Sequence, residues 1–363
     1  MLLVIFFTVG SSILLVPSYL AHKVNQDAWI ACLLGTIIGF FGIWMFTTIA
    51  GWFPGLSIVE INNKVFGRWI GKIVSLICVC ITLIFTAVLL KHCSLFLNSQ
   101  MLPNTPAAVL TAFKALIIVI AVRYGLVTFA RSAEITLFFF TFFLFILIFF
   151  TIPKINIHNL LPLFQDNIGT YAESSLLLVV LSSFNSVVLL MIYPKVEESL
   201  KKARYSFYMG YIIGSIIIFI ITILCILVLS APTTARLVYP SYYLAKQINI
   251  GESLTRVEAL MATVWILTMF FKIVIYFYAS LQAISQIFQL KDYRTLTFPV
   301  GTICVVLSLI MFPNVVKLNQ FDESTGISMG LLFGFFLPFL LMIIYLIRKK
   351  SIKRDSSNSQ PSI

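Results

Sequence analysis

Ten apolar segments follow one another along the chain, and each is long enough to cross a lipid bilayer as a helix. The hydrocarbon core of a bilayer is about 30 Å thick, which takes about 20 residues of α-helix. Main-chain groups find no water there, so spanning segments of this kind fold as helices. We therefore predict an all-α integral membrane protein with ten transmembrane helices in a single domain, residues 1–350. The segments cover residues 1–21, 28–50, 70–97, 106–123, 132–152, 172–193, 206–230, 257–288, 295–313 and 327–347.

Composition and charge agree with this class. Hydrophobic residues make up 60% of the chain and charged residues 10%, with a mean hydropathy of +1.03, whereas about 25% of the residues in a soluble domain are charged. The net charge is +12, and 16 of the 25 Lys and Arg residues lie in one set of alternate connections against 6 in the other set. The positive-inside rule explains this bias without nucleic acid as a partner. It predicts cytoplasmic termini, and the Ser-rich residues 351–363 predict a disordered cytoplasmic tail.

Small polar residues interrupt the first and the sixth segments. The first contains Thr8-Val9-Gly10-Ser11-Ser12, and the sixth contains Ser183-Phe184-Asn185-Ser186. Such patches at membrane depth are typical of helices that break to line a cavity, and a pair of them indicates a binding site between inverted repeats. We predict discontinuous helices 1 and 6 in two five-helix repeats, residues 1–153 and 172–348. The alternative is that the small residues only allow close helix packing.

Three lysines lie within the apolar segments. Lys91 and Lys114 are near the outer ends of their segments, and we interpret them as snorkelling to the interface. Lys272 is about 21 Å from the outer end of the eighth segment at helical rise. A cation so far from both surfaces suggests a function, although it could also pair with backbone oxygens and only stabilise packing. Thr268 and Tyr276, one turn away, share its face.

Two connections also carry local signals. Ser57 and Glu60 have the spacing of a capping box, which predicts a short interfacial helix between the second and third segments. Residues 230–256 mix Tyr, Leu and Ile with a few charges, and we predict an amphipathic helix that lies on the membrane and caps an outer vestibule.

The sequence predicts no cofactor, no metal site and no enzymatic activity. The three histidines belong to different segments. The six cysteines lie in apolar segments without a CxxC pair, and we interpret them as inert packing thiols. Nor does the chain contain a nucleotide-binding loop or a plausible pair of nucleophile and base.

A series of short motifs extends over nearly the whole chain, from Leu3 to about Asn314. They are Gly10-Ser11-Ser12-Ile13-Leu14-Leu15-Val16-Pro17, Gln26-Asp27-Ala28-Trp29, Phe53-Pro54-Gly55, Asn159-Leu160-Leu161-Pro162, Arg236-Leu237-Val238-Tyr239-Pro240, Lys272-Ile273 and Leu290-Lys291-Asp292-Tyr293-Arg294. In their residues and in their order along the chain they resemble the GerAB-type spore germination proteins, which are B subunits of nutrient germinant receptors.

The resemblance implies a LeuT-like fold in the spore inner membrane. It also implies an amino acid or another small nutrient as ligand, and germinant receptor A and C subunits as partners. The family often has Gly-Thr-Gly at the first break and Gly-Glu at the second, where this chain has Gly10-Ser11-Ser12 and Asn185-Ser186.

An amino acid ligand needs donors for its carboxylate and acceptors for its ammonium group. If the first helix restarts after Gly10, the free N–H groups of Ser12 and Ile13 suit the carboxylate. Unpaired carbonyls near Thr8 and Ser183 suit the ammonium group. The predicted ligand-binding residues are Thr8, Val9, Gly10, Ser11, Ser12, Ile13, Ser183, Phe184, Asn185, Ser186, Thr268 and Tyr276, and Lys272 is predicted to take the place that a sodium ion holds in related carriers.

Two functions fit these expectations. In the first, the protein is a sensor: a nutrient binds between the broken helices, shifts the population of one conformation, and partner subunits respond. In the second, the same site alternates its exposure and the protein is an amino acid permease, for which coupling to protons is one option. The fold alone does not separate the two functions.

Overall fold

The computed structural model describes residues 1–193, 200–248 and 258–358, and every regular element in these ranges is a helix. Their apolar composition lets helices satisfy their own main-chain hydrogen bonds in lipid. The α-helices are α1 (Leu2–Val9), α2 (Ser12–Val24), α3 (Ala28–Trp52), α4 (Ile58–Phe66), α5 (Arg68–Gln100), α6 (Ala107–Tyr124), α7 (Leu126–Thr151), α8 (Ile168–Ser182), α9 (Leu200–Leu229), α10 (Ala231–Arg236), α11 (Pro240–Lys246), α12 (Glu258–Ile287), α13 (Thr297–Met311), α14 (Val315–Gln320), α15 (Ile327–Leu331) and α16 (Leu337–Asn358).

The described part of the chain accounts for ten membrane crossings, as predicted. Nine helical stretches in it are long and apolar enough to cross, and the first, Leu2–Trp52, has 51 residues. The chain turns inside this stretch at Asn25–Asp27, so α1 with α2 makes one crossing and α3 makes the next. The tenth crossing runs from α14 to α16 through the π-helical segments Phe321–Gly326 and Leu332–Phe336.

Helices 1 and 6 are discontinuous, also as predicted. Between α1 and α2, Gly10 has φ 4° and ψ −104°, which is outside the helical region. After α8, Ser183 leads into a 3-10 helix, Phe184–Met191, a form with poorer hydrogen-bond geometry than the α-helix. Each interruption coincides with a small-polar patch of the sequence. Residues 194–199, which follow the second break, lie outside the described ranges.

The bundle has two faces, which we name by their charge. The basic face holds Met1 and the Lys- and Arg-rich connections, and the opposite face holds the turn at Asn25–Asp27 and α10 and α11. The capping box predicted on the basic face is confirmed: Ser57 N donates to Glu60 Oε2 at 2.7 Å, and Glu60 N donates to Ser57 Oγ at 3.4 Å at the start of α4.

On the opposite face, two of the sequence motifs bind each other. The buried Asp27 carboxylate accepts hydrogen bonds from the main-chain N–H groups of Phe164 and Gln165 at 3.1 and 2.9 Å and from the Tyr171 hydroxyl at 2.7 Å. Gln26 Nε2 donates to the Pro162 carbonyl at 2.6 Å. These contacts fix the start of α8 against the turn between the first two crossings.

Glycines allow neighbouring helices to approach the two breaks closely. On α3, a Cβ added at Gly39 would lie 2.9 Å from Ser183 Cβ, and one added at Gly42 would lie 2.7 Å from the Phe184 ring. On α9, a Cβ at Gly214 would lie 2.7 Å from Thr8 Cβ. The sixth crossing is therefore enclosed by protein, with 89% of its most apolar stretch buried, against 17% for the fifth.

Three expectations for peripheral regions need correction or qualification. Residues 230–248 form two short helices, α10 and α11, that pack against α2, α9 and α12 instead of one helix lying on the membrane; residues 249–257 lie outside the described ranges. Lys114 does not snorkel, because its side chain is buried and its Nζ donates to Cys93 Sγ at 2.8 Å. Lys91 is also buried.

Residues 351–358, predicted as a disordered tail, continue α16.

The glycine contacts generate a prediction. Gly39→Ala should lower the free energy of unfolding by about 1–3 kcal/mol, because the new methyl group overpacks α3 against Ser183 and Tyr211. Gly51→Ala in the same helix is the matched control, since nothing lies within 4 Å of its added Cβ. Thermal unfolding of the detergent-purified variants measures both, and equal melting temperatures for the two variants would contradict the close packing.

Candidate functional site

Lys272 connects the two broken helices in the middle of the bundle. Its Nζ donates to Ser11 Oγ at 3.0 Å and to the Leu181 carbonyl at 2.7 Å. Ser11 precedes α2, and Leu181 lies in the last turn of α8, where carbonyls have no partner within the helix. The Lys272 side chain is fully buried, and its Nζ also lies 5.0 Å from the centre of the Phe7 ring. The Lys272 ammonium group therefore links α12 to both breaks.

The same face of α12 makes further contacts with the first crossing. Thr268 Oγ1 lies 3.3 Å from the Gly10 carbonyl and donates at 2.9 Å to the Trp265 carbonyl. The Tyr276 ring packs against Phe7, with ring centres 5.2 Å apart. Thr268, Lys272 and Tyr276 thus all reach the region of the first break.

Gly10 is the residue that makes room for this lysine. A Cβ added at Gly10 would lie 2.5 Å from Lys272 Cδ and 3.2 Å from Lys272 Cβ. Both separations are shorter than side chains tolerate in a packed interior. The glycine therefore serves the contact with Lys272 as well as the break in the main chain.

Several buried polar atoms at the breaks have no hydrogen-bond partner. They are Thr8 Oγ1 and Ser12 Oγ at the first break and Asn185 Oδ1 and Ser186 Oγ at the second. Leaving such a group unpaired in the interior costs about 1–3 kcal/mol. Most buried polar groups in native proteins are paired with protein or water, so these four atoms are unused hydrogen-bonding groups at the two breaks.

A small cavity, which we call the central cavity, lies beside Lys272. Of the predicted binding residues, Ser11, Asn185 and Tyr276 line it together with Lys272. Its volume for water-sized molecules is about 20 Å³, enough for one or two waters. The remaining lining residues are Leu15, Phe85, Val88, Leu89, His92, Leu177, Val180, Leu181, Asp322 and Gly326.

The other predicted residues do not line this cavity. Val9 and Ile13 are buried in the hydrophobic core. Phe184 stacks on Phe335, with ring centres 5.7 Å apart. Ser183 Oγ donates to the Gly39 carbonyl. These side chains therefore position the breaks. Of the predicted binding residues, Ser11, Asn185 and Tyr276 line the cavity, together with Lys272.

A larger cavity, which we call the vestibule, lies between the central cavity and the face of the bundle opposite the basic face. Its volume is about 210 Å³, and Ser18, Tyr19, Arg236, Asn319 and Glu323 are among its lining residues. On the basic-face side, by contrast, aromatic rings fill the space beside the first break. Phe6 stacks on Phe271 at 4.5 Å between ring centres and meets Phe140 edge-on at 5.7 Å. The central cavity is thus nearer to the vestibule than to the basic face.

Comparison with known proteins decides the family. Residues 1–316 match the family described as "Spore germination protein". The chain belongs to the spore germination protein family. It is 26% identical over 364 residues to spore germination protein KB of Bacillus subtilis (strain 168), covering 99% of this chain and 95% of that protein. It is 24% identical to spore germination protein GerLB of Bacillus cereus, covering 98% and 94%.

The fold of this spore germination protein is that of a LeuT-type transporter. The chain superimposes on Mhp1, a nucleobase-cation-symport-1 family transporter in a closed conformation with bromovinylhydantoin bound, with a TM-score of 0.67 at 14% sequence identity. The match covers 96% of this chain and 78% of Mhp1. Family and fold point to a transporter or receptor rather than an enzyme.

Sequence reasoning missed the pair of His92 and Asp322. His92 Nε2, on α5, lies 2.8 Å from Asp322 Oδ2 in the π-helical segment before α15, although the ring nitrogen is not aligned for a hydrogen bond. The sequence placed His92 beside Lys91 at a helix end and placed Asp322 outside the tenth segment. Only the packing of α5 against the tenth crossing brings them together.

The contact between Gly10 and Lys272 can be tested by a double-mutant cycle. Gly10→Ala should destabilise the protein by about 1–3 kcal/mol, because its methyl group collides with the Lys272 side chain. In a Lys272→Ala background the same change should cost less, since the nearest atom, Lys272 Cδ, is gone, although the Cβ at 3.2 Å remains. Melting temperatures of the four proteins give the coupling, and equal losses in both backgrounds would show that Gly10 matters only for its main-chain conformation.

Proposed function

We propose that this protein is the nutrient-sensing B-type subunit of a spore germinant receptor, and that an amino acid or similar small nutrient binds at the central cavity. The observation that carries the proposal is a cavity between the two helix breaks that Ser11, Lys272 and Asn185 line, and into which the buried Asn185 brings an unpartnered Oδ1. In the spore inner membrane, with the basic face towards the cytoplasm, the receptor A and C subunits would receive the signal.

The chemistry of the breaks supports a zwitterionic ligand. The first N–H groups of α2, at Ser12 and Ile13, belong to the positive end of a helix and suit a carboxylate. Asn185 Oδ1 offers an unused acceptor for an ammonium group. Lys272 already supplies a positive charge at the Leu181 carbonyl, so we propose that it replaces the bound sodium ion of related carriers.

The size of the central cavity implies that binding moves the helices. Because the cavity has room for only one or two waters, a nutrient fits only in a conformation in which the breaks are further apart. The 3-10 segment Phe184–Met191 is the element best suited to move, since its hydrogen bonds are weaker than those of an α-helix. A ligand that binds the wider conformation better shifts the population towards it.

The second candidate is an amino acid permease, and it is supported by the transporter fold, by the vestibule and by a separate cavity of about 210 Å³ beside Met1 on the basic face. Protein reconstituted in liposomes separates the two candidates. Saturable binding of labelled amino acids without uptake supports the sensor. Robust uptake of the same amino acids supports the permease.

Lys272→Met tests the proposed site. In nanodiscs, screened against the twenty L-amino acids, the variant should bind the best ligand at least about tenfold more weakly, because a hydrogen-bonded charge contributes about 1.5–3 kcal/mol. Lys114→Met is the matched control, since it also removes a buried lysine but one that bonds Cys93 away from the breaks. Unchanged affinity in Lys272→Met, or an equal loss in both variants, would rule out the assigned role of Lys272.

A further inference from the structure

The vestibule and the central cavity meet at a constriction. Three residues line both spaces, namely Leu15, Leu177 and Asp322. Two of them are apolar, so the Asp322 carboxylate is the charged group that a molecule meets when it passes from the vestibule to the central cavity.

Asp322 is in contact with His92, which lines the central cavity but not the vestibule. The exposed fraction of the two side chains is only 3% for His92 and 13% for Asp322, so the contact is screened from solvent. At 2.8 Å but without hydrogen-bond alignment, it is weaker than a well-directed pair. An incoming ammonium group, with three donors free to orient, would bind this carboxylate better than the ring nitrogen does.

Two other charged residues of the vestibule do not reach the central cavity. Arg236 and Glu323 line the vestibule but not the central cavity. A zwitterion in the vestibule therefore meets both signs of charge, whereas on the way inwards it meets the Asp322 carboxylate first and Lys272 only in the central cavity itself. Beyond it, the unpartnered Asn185 Oδ1 offers a further acceptor.

We propose that Asp322, held by His92, is a cation-selective gate, and that the ligands of this protein are small molecules that pass it with a protonated amine leading. The inference rests on the proposed function, since it takes the central cavity as the destination. The amine displaces His92 from Asp322, and the acidic end of the molecule follows past Arg236.

Charged thiol reagents test the gate without knowledge of the nutrient. In a background in which the six native cysteines are replaced, Leu89→Cys places a thiol in the central cavity, and its smaller side chain leaves room for the reagent. Ser18→Cys places a reference thiol in the vestibule. Both are labelled in nanodiscs with 2-aminoethyl methanethiosulfonate, a cation, and 2-sulfonatoethyl methanethiosulfonate, an anion.

The cation should label Leu89→Cys at least about tenfold faster than the anion, once the ratio of the two labelling rates at Leu89→Cys is divided by the same ratio at Ser18→Cys. Such a preference is expected when a reagent passes a fixed charge. Asp322→Asn should abolish that preference, whereas Glu323→Gln, which removes the same charge from the vestibule alone, should keep it. His92→Asn should accelerate labelling by the cation, because Asp322 then lacks its partner; this opposite effect does not depend on whether Asp322→Asn folds.

Three results would overturn the gate. They are equal labelling by both reagents, equal effects of Asp322→Asn and Glu323→Gln, and no labelling of Leu89→Cys while Ser18→Cys reacts. Each can occur while amino acids still bind in the nanodisc assay, and a charge preference can persist when no amino acid binds. The gate and the proposed function therefore fail separately.

Discussion

The fold depends on pairing the main-chain groups that two interrupted helices leave free inside the membrane. In hydrocarbon no water takes these hydrogen bonds, so each break needs a partner from the protein. Lys272 donates to the Leu181 carbonyl and to Ser11 Oγ, and Thr268 reaches the Gly10 carbonyl. A single face of α12 therefore stabilises both interruptions, and four buried polar side-chain atoms at the breaks are still unpaired.

Close packing around the breaks follows from the same requirement. The donors of α12 reach the free main-chain groups only if the helices approach closely, and small residues allow that approach. Gly10 admits the Lys272 side chain, while Gly39 and Gly42 of α3 admit the second break. The glycines and the polar groups thus form one arrangement, in which close helix packing and a small central cavity occur side by side.

The sequence predicts the fold well because hydrophobic length and small-polar patches are local signals. The ten crossings and the two breaks follow from them, as does the position of Lys272 deep within an apolar segment. The details of the site depend on which helices become neighbours, and no local signal encodes that. The position of Lys272 in its segment did not identify its partners, which are Ser11 Oγ beside the first break and the Leu181 carbonyl beside the second. His92 and Asp322, 230 positions apart, meet only through packing across the bundle.

A cation that belongs to the chain has a consequence for the choice between sensor and permease. A bound sodium ion can leave with the substrate and so couple transport to an ion gradient, but Lys272 remains attached to α12. Under the proposal that Lys272 takes the place of the ion, the free energy for any conformational change must come from the ligand's own preference for one state, or from a proton. The first possibility is sufficient for a sensor, which only needs to shift a population. Concentrative uptake requires the second, and the charge state of Lys272 would then have to change in every transport cycle.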